Sequence, residues 1–261
     1  MHYSTVSRIV KRVSRALARQ SIKFPQTQAE ISLTKNEFYD IASFPNVVGV
    51  IDCTHVKIES PGGPDAEIFR NRKGYFSINV QAVSNADYML TNLLVKWPGS
   101  SYDTTIFNNS NLKRKFDNNT IPNNCYLLGD SGYELQTYLL TPLLDSILPK
   151  EQLYNESHIR TRGIIERLFG IWKRRFPVIA YGCRLKLATT LEVIISTGVL
   201  HNIAKRMGEG EPPLPDNIEV HEFQQLIRHG NIPDVPRLNG RRNLRGIHVR
   251  QTLIDNYFAN L

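Results

Sequence analysis

Four acidic side chains stand where such groups are costly or conspicuous. Asp52 interrupts the apolar run Val47–Ile51. A carboxylate there needs a cation, a hydrogen-bond network or a strand end open to solvent, because burying it unpaired is expensive. Asp130 closes the short apolar segment CYLLG, Cys125–Gly129, a place where open α/β sheets put their ligands. Glu166 lies inside GIIERLFG, flanked by Ile164, Ile165, Leu168 and Phe169. Asp103, in WPGSSYDTT, is a fourth candidate. Carboxylates from two strands and a helix can meet at one point, and hard oxygen ligands of this kind suit Mg²⁺ or Mn²⁺. Two such ions roughly 3.5–4 Å apart would activate water and stabilise a leaving 3′-oxygen in phosphodiester cleavage. The plainer readings are structural: Asp103 as the N-cap of a helix, with Ser101 as its rival, and Glu166 paired with Arg162 four residues earlier.

Positioning these groups takes a sheet and helices. Val47–Ile58 is β-branched and bounded by Pro45-Asn46 and Ser60-Pro61-Gly62-Gly63-Pro64, which predicts a strand. Tyr75–Val83 and Tyr88–Trp97 read as two more, joined by the turn residues Ser84-Asn85-Ala86-Asp87. Asp103–Phe116 reads as a helix, Cys125–Gly129 as a short strand, Glu134–Leu140 as a short helix, and Tyr154–Arg175 and Lys186–Met207 as long helices. A strand within Leu143–Leu148 is a weaker expectation. Strands, a hairpin and then alternating helices predict an α/β body with a mixed sheet. Around it the chain divides into a basic helix in residues 1–27, a body in 28–207, a Pro- and Gly-rich linker in 208–219 and a basic tail in 220–261. The tail should end in a helix, His248–Leu261, that docks on the body through Leu253, Ile254, Tyr257 and Phe258.

The 261 residues carry 32 Lys and Arg against 24 Asp and Glu, a net charge of +8. The excess gathers in three clusters. Ser4–Gln20 is an amphipathic helix with Arg8, Lys11, Arg12, Arg15 and Arg19 around the stripe Val6, Ile9, Val10, Val13 and Leu17. A second cluster holds Arg160, Arg162, Arg167, Lys173, Arg174 and Arg175; a third holds Arg237, Arg241, Arg242, Arg245 and Arg250. Any one could be a solvated face, but three together favour a phosphate-binding surface. The cysteines, Cys53, Cys125 and Cys183, are odd in number and unpaired in spacing, which argues against a disulfide scaffold or a zinc site. Basic residues interrupt every early apolar run, so no signal peptide is read, and Leu191–Ala204 is too short and polar to span a bilayer, so no membrane is expected. Gly129-Asp130-Ser131-Gly132 also spells the nucleophile motif of chymotrypsin-like proteases, with His55 and Asp103 in that family's chain order; Tyr133 and the short His–Ser gap speak against it.

Six ordered blocks, GVIDCTH (Gly49–His55), WPGSSYD (Trp97–Asp103), YLLGDSGY (Tyr126–Tyr133), LLTPL (Leu139–Leu143), YNESHIRTRGIIERLFGIWKRRF (Tyr154–Phe176) and VLHNIA (Val199–Ala204), resemble the DDE endonuclease domain of PIF/Harbinger transposases and Harbinger transposase-derived nucleases. The resemblance implies an RNase H-like fold, with antiparallel strands first and further parallel strands after, flanked by helices. It implies Asp52, Asp130 and Glu166 as the catalytic, metal-binding triad, with 35 residues between the last two, and Asp103 as a further metal-associated acid. Arg162, Glu166 and Lys173 match the family's helix signature, which implies that Arg162, Lys173 and their neighbours Arg174 and Arg175 hold DNA phosphates. Arg8, Lys11, Arg12 and Arg15 look like the last helix of a helix-turn-helix region. Two neighbours depart from the family pattern: Cys53 stands where glycine is usual, and Tyr102 where histidine is usual. The implied function is a metal-dependent DNA endonuclease, with strand transfer as a further step, acting in the nucleus and also expected in the cytoplasm. A Myb/SANT-like protein and a homo-oligomer are its implied partners. The competing reading is a catalytically silent DNA-binding or scaffold protein that keeps the fold; the retained acids argue against it.

Overall fold

The structure is a computed structural model and describes residues 3–19, 22–213, 219–231 and 243–261. Arg237, Arg241 and Arg242 of the third basic cluster lie outside these residues, as do residues 214–218 of the expected linker.

The central strand, β1 (Val47–Lys57), is buried along nearly its whole length. Its first half, the wholly apolar and largely β-branched Val47–Ile51, forms such a strand when both faces are covered. β2 (Ser77–Ser84) pairs antiparallel with β1, and β3 (Leu90–Pro98) pairs antiparallel with β2. Their hairpin closes as expected from turn chemistry: Asn85 Oδ1 accepts from the amides of Asp87 and Met89, and Tyr88 takes a positive φ. On the other side, β4 (Tyr126–Leu128) and β5 (Leu139–Leu140) continue the sheet in parallel. The order is β3-β2-β1-β4-β5.

Helices cover both faces. α1 (Tyr3–Ala18) lies along α7 (Leu187–Arg206), where Ser196 donates to Ser14 O at 2.7 Å. α1's apolar residues Val6, Ile9, Val10 and Val13 are exposed. α2 (Gln28–Ala42) opens with a capping box in which Thr27 accepts from Glu30 N and Glu30 accepts from Thr27 N. α3 (Asp103–Asn108) and α4 (Asn111–Asp117) form where one helix was read; Ser110 breaks the run by capping the second. α5 (Pro149–Arg175) buries Tyr154, Ile164, Ile165, Leu168, Phe169 and Trp172 against the sheet. α6 (Pro177–Tyr181), α8 (Val220–Gly230) and α9 (Leu244–Asn256) complete the shell.

Two further sequence expectations fail. Glu134–Leu140 is not a helix: Leu139 and Leu140 pair with Leu127 and Leu128 as β5. Leu143–Leu148 carries no strand. The tail helix docks as expected, with Ile254 and Phe258 buried in the main core beside Phe44 and Tyr154. α7 is the one described helix long and apolar enough to cross a membrane by length and composition, yet more than half of it is buried in the fold. Buried Ser196, Thr197, His201 and Asn202 mark it as a core helix with polar contacts, such as Asn202 Oδ1 accepting from Leu90 N at 2.8 Å.

Candidate active site

Parallel register explains why two distant aspartates meet. The last β1–β4 pair is Val50 with Leu128, and Asp52 and Asp130 each stand two residues beyond it. The two aspartates therefore stand at the same level, Asp52 within β1, which runs on to Lys57 against β2, and Asp130 just past the carboxyl end of β4. Gly129 makes the exit possible, because a Cβ there would lie 2.8 Å from the Tyr133 ring. Asp130 Oδ1 accepts from Gly132 N at 3.0 Å, folding the loop back on itself. Thr104 ties that loop to α3 by donating to Gly132 O at 2.7 Å and accepting from Glu134 N at 3.1 Å.

Asp103 is the first residue of α3, whose N-cap is Tyr102, so neither capping candidate from the sequence fills that role. Its carboxylate is buried and accepts from Asn79 Nδ2 of β2 at 3.1 Å. Asp52, Asp103 and Asp130 each offer an oxygen, and the three oxygens lie within 4.8 Å of one another. Glu166 comes from α5 and lines the same cavity as Asp52 and Asp130, about 240 Å³ in volume.

Charge in this cluster is only partly compensated. Arg162 donates to Asp52 Oδ2 at 3.2 Å and to Glu166 Oε1 at 2.5 Å, so the i,i+4 pair read from the sequence is present and is extended to β1. Cys53 N adds a bond to Asp52 Oδ1 at 2.8 Å. Even so, burial and then the charge of Asp130 push the Asp52 carboxyl up to about 7, against the pull of Arg162 and the Cys53 amide. A buried group of like charges with three convergent hard oxygens fits a divalent cation held by Asp52, Asp103 and Asp130.

The two departures from the family pattern are accommodated beside the acids. Cys53 is buried, its Sγ 3.5 Å from Tyr133 Oη and 3.8 Å from Gln81 Nε2, and burial keeps its thiol well above the usual range. Tyr102 lies under the Arg72 guanidinium at 5.2 Å. The protease-like trio does not form, since His55 Nδ1 bonds Ser77 Oγ at 2.9 Å inside the sheet.

The expected phosphate-binding residues divide. Arg8, Lys11 and Arg12 are exposed on α1, while Arg15 pairs with Glu192 at 2.9 Å. Arg174 faces Glu211 at 3.6 Å and Arg175 pairs with Glu209, so acids of the linker cover this part of α5. Lys173 departs from the expectation of a surface cation: it is buried and donates to Thr54 Oγ1 at 2.7 Å, and burial brings its ammonium down to about 7. Two residues not singled out from the sequence, Arg228 and Asn231 at the end of α8, line the acidic cavity. Nothing local in VHEFQQLIRHGN marks them, because their place depends on where α8 docks.

A β3-β2-β1-β4-β5 sheet with aspartates gathered beyond its central parallel pair is an RNase H-like fold with a carboxylate site. The model of the DDE superfamily endonuclease family matches residues 51–202, and the chain belongs to that family. It is 36% identical over 212 residues to "Putative nuclease HARBI1" of Rattus norvegicus, a match covering 78% of this chain and 60% of that protein. Its identity to the Homo sapiens protein of the same name is also 36%, over the same shares. It is 26% identical over 194 residues to "Protein ALP1-like" of Arabidopsis thaliana, covering 69% of this chain and 48% of the relative. The chain thus spans about 60% of the length of the animal relatives it matches. No solved structure matches it. The likeness to Harbinger transposase-derived nucleases read from the six motif blocks is borne out.

Proposed function

We propose that this protein is a divalent-metal-dependent DNA endonuclease acting in the nucleus. The observation that carries the reading is the convergence of Asp52, Asp103 and Asp130 oxygens within 4.8 Å, with Glu166 on the same cavity. Asp52, Asp103 and Asp130 hold Mg²⁺ or Mn²⁺, and Glu166 completes the site from α5. A bound divalent ion supplies Lewis-acid chemistry: it lowers the pKa of water and neutralises charge on a leaving oxygen. The chain's own groups do the rest. Asn79, the Cys53 amide and the Gly132 amide orient the three aspartates. Arg162, which pairs with both Asp52 and Glu166, would be available to a phosphate if a bound cation balanced those carboxylates. Exposed Arg8, Lys11 and Arg12 extend the contact along the duplex. Strand transfer by the released 3′-OH is a second use of the same site.

The test is nicking of supercoiled DNA in Mg²⁺ or Mn²⁺ by the wild type and by Asp52→Ala and Glu166→Ala. Metal-dependent nicking that both substitutions abolish supports the reading; activity unchanged in both refutes it. Salt-sensitive DNA binding in EDTA with no cleavage under either metal would favour the silent DNA-binding alternative.

A further inference from the structure

α8 lies outside residues 51–202, which match the endonuclease family, yet the fold seats it against the acidic cavity. Phe223 anchors it with 1% exposure, and Ile227 lies against Gly170 of α5. Its carboxyl end is latched to the sheet side of the molecule. Thr54 Oγ1 donates to Gly230 O at 3.2 Å, and Lys73 Nζ donates to Arg228 O at 3.1 Å and to Asn231 O at 3.4 Å. Lys173 secures Thr54 and packs so closely on Gly230 that a Cβ there would lie 2.2 Å from its Nζ and 2.8 Å from His55 O. Lys73 thus meets the carbonyls of a helix C-terminus, where partial negative charge collects, while Lys173 acts one bond away through Thr54.

The consequence is a fixed Arg228. Its backbone is held, and the residue is exposed on the lining of the cavity it shares with Asp52, Asp130, Arg162 and Glu166. Arg162 is committed to two of these carboxylates, whereas Arg228 makes no ion pair with any carboxylate among the described residues. An exposed arginine on the lining of a carboxylate site, without pairing to it, is suited to an anion that enters from outside. We propose that Arg228 contacts a phosphate of the DNA strand at the site, and that the latch of Lys73, Thr54, Lys173 and Gly230 exists to complete the site with α8. The proposal rests on the nuclease reading above. It also gives buried Lys173 a role as a strut, acting on DNA through α8.

The test measures affinity for a labelled DNA duplex between roughly 50 and 200 mM salt with Ca²⁺ present, and nicking with Mg²⁺ in parallel. Arg228→Ala should weaken binding by about tenfold, the low end for a charge-assisted hydrogen bond, and lower the salt slope by about 1. Arg228→Lys should keep the slope. Gly230→Val, which forces the latch apart without touching a carboxylate, should reproduce the Arg228→Ala loss, and the double variant should lose nothing further. An unchanged affinity and slope in Arg228→Ala overturns the proposal, as does tighter binding or faster nicking in Gly230→Val, which would make α8 a cover. If Gly230→Val does not fold, the two Arg228 variants decide alone. Absence of nicking by the wild type would remove the nuclease reading, while the salt slope would still judge Arg228.

Discussion

Replacing Asp52 by asparagine should stabilise the metal-free protein. The fold holds the Asp52 carboxyl at about 7, against an ordinary value of 3.8, because it is buried and faces Asp130. Below 3.8 both folded and unfolded states hold the proton and the shift has no effect. As pH rises toward 7 the unfolded state gives up its proton first, so ionising Asp52 costs the native state progressively more, and the penalty levels off above about 7. At 1.36 kcal/mol per pH unit the difference between 3.8 and about 7 corresponds to roughly 4 kcal/mol, an upper value that relaxation reduces to about half. Asp52→Asn keeps the shape and removes the charge, and Arg162 retains Glu166 as partner. Urea unfolding of wild type and Asp52→Asn in EDTA should therefore show near-equal stability at pH 4. The variant should lead by about 2–4 kcal/mol at pH 8, with most of the change between these pH values. A gap independent of pH, or a variant less stable at pH 8, would refute the electrostatic reasoning.

Other outcomes follow from the same structure. Mn²⁺ at about 100 times its Kd should stabilise the wild type by about 2.7 kcal/mol, a rise of roughly 5–10 °C in Tm; Asp130→Asn should lose this rise, as read by differential scanning fluorimetry. His158 is buried against Leu140 O and its imidazole is driven down to about 3, so its neutral form stabilises the fold above pH 6.5 and that contribution drains as pH falls toward 3. Between pH 7 and 5 the wild type should accordingly lose about 2 kcal/mol more than His158→Gln in urea titrations, and equal losses would contradict it. Phe258 packs 5.4 Å from Phe44 and 5.5 Å from Tyr154, ring to ring. Phe258→Ala should cost about 3–5 kcal/mol, and a cost under about 1 would mean that the tail helix does not dock in solution.

What could be read in advance followed the range of the interactions. β1 announced itself through a β-branched run between Pro45 and a Gly/Pro cluster, and the hairpin through Asn85 and Asp87, because both depend on neighbours in sequence. α2 carried a usable signal, the Thr27–Glu30 capping box, that the hydrophobic pattern alone did not bring out. β5 had none: two residues show no periodicity, and Leu139 and Leu140 become a strand only because β4 lies beside them. The acids were conspicuous as carboxylates in apolar surroundings, but the equal two-residue offset of Asp52 and Asp130 appears only once the β1–β4 register is known. Lys173 misled because a lysine in a basic run reads as surface; its burial depends on Thr54 and Gly230, far away in the chain. Arg228 entered the site for the same nonlocal reason.

The shared cation is tested most directly by anomalous diffraction from a crystal soaked in Mn²⁺. A peak roughly 2.0–2.3 Å from oxygens of Asp52, Asp103 and Asp130, absent from an Asp130→Asn crystal treated alike, is the result expected here. Ordered carboxylates with no peak among them at saturating Mn²⁺ would contradict the metal site and the chemistry built on it.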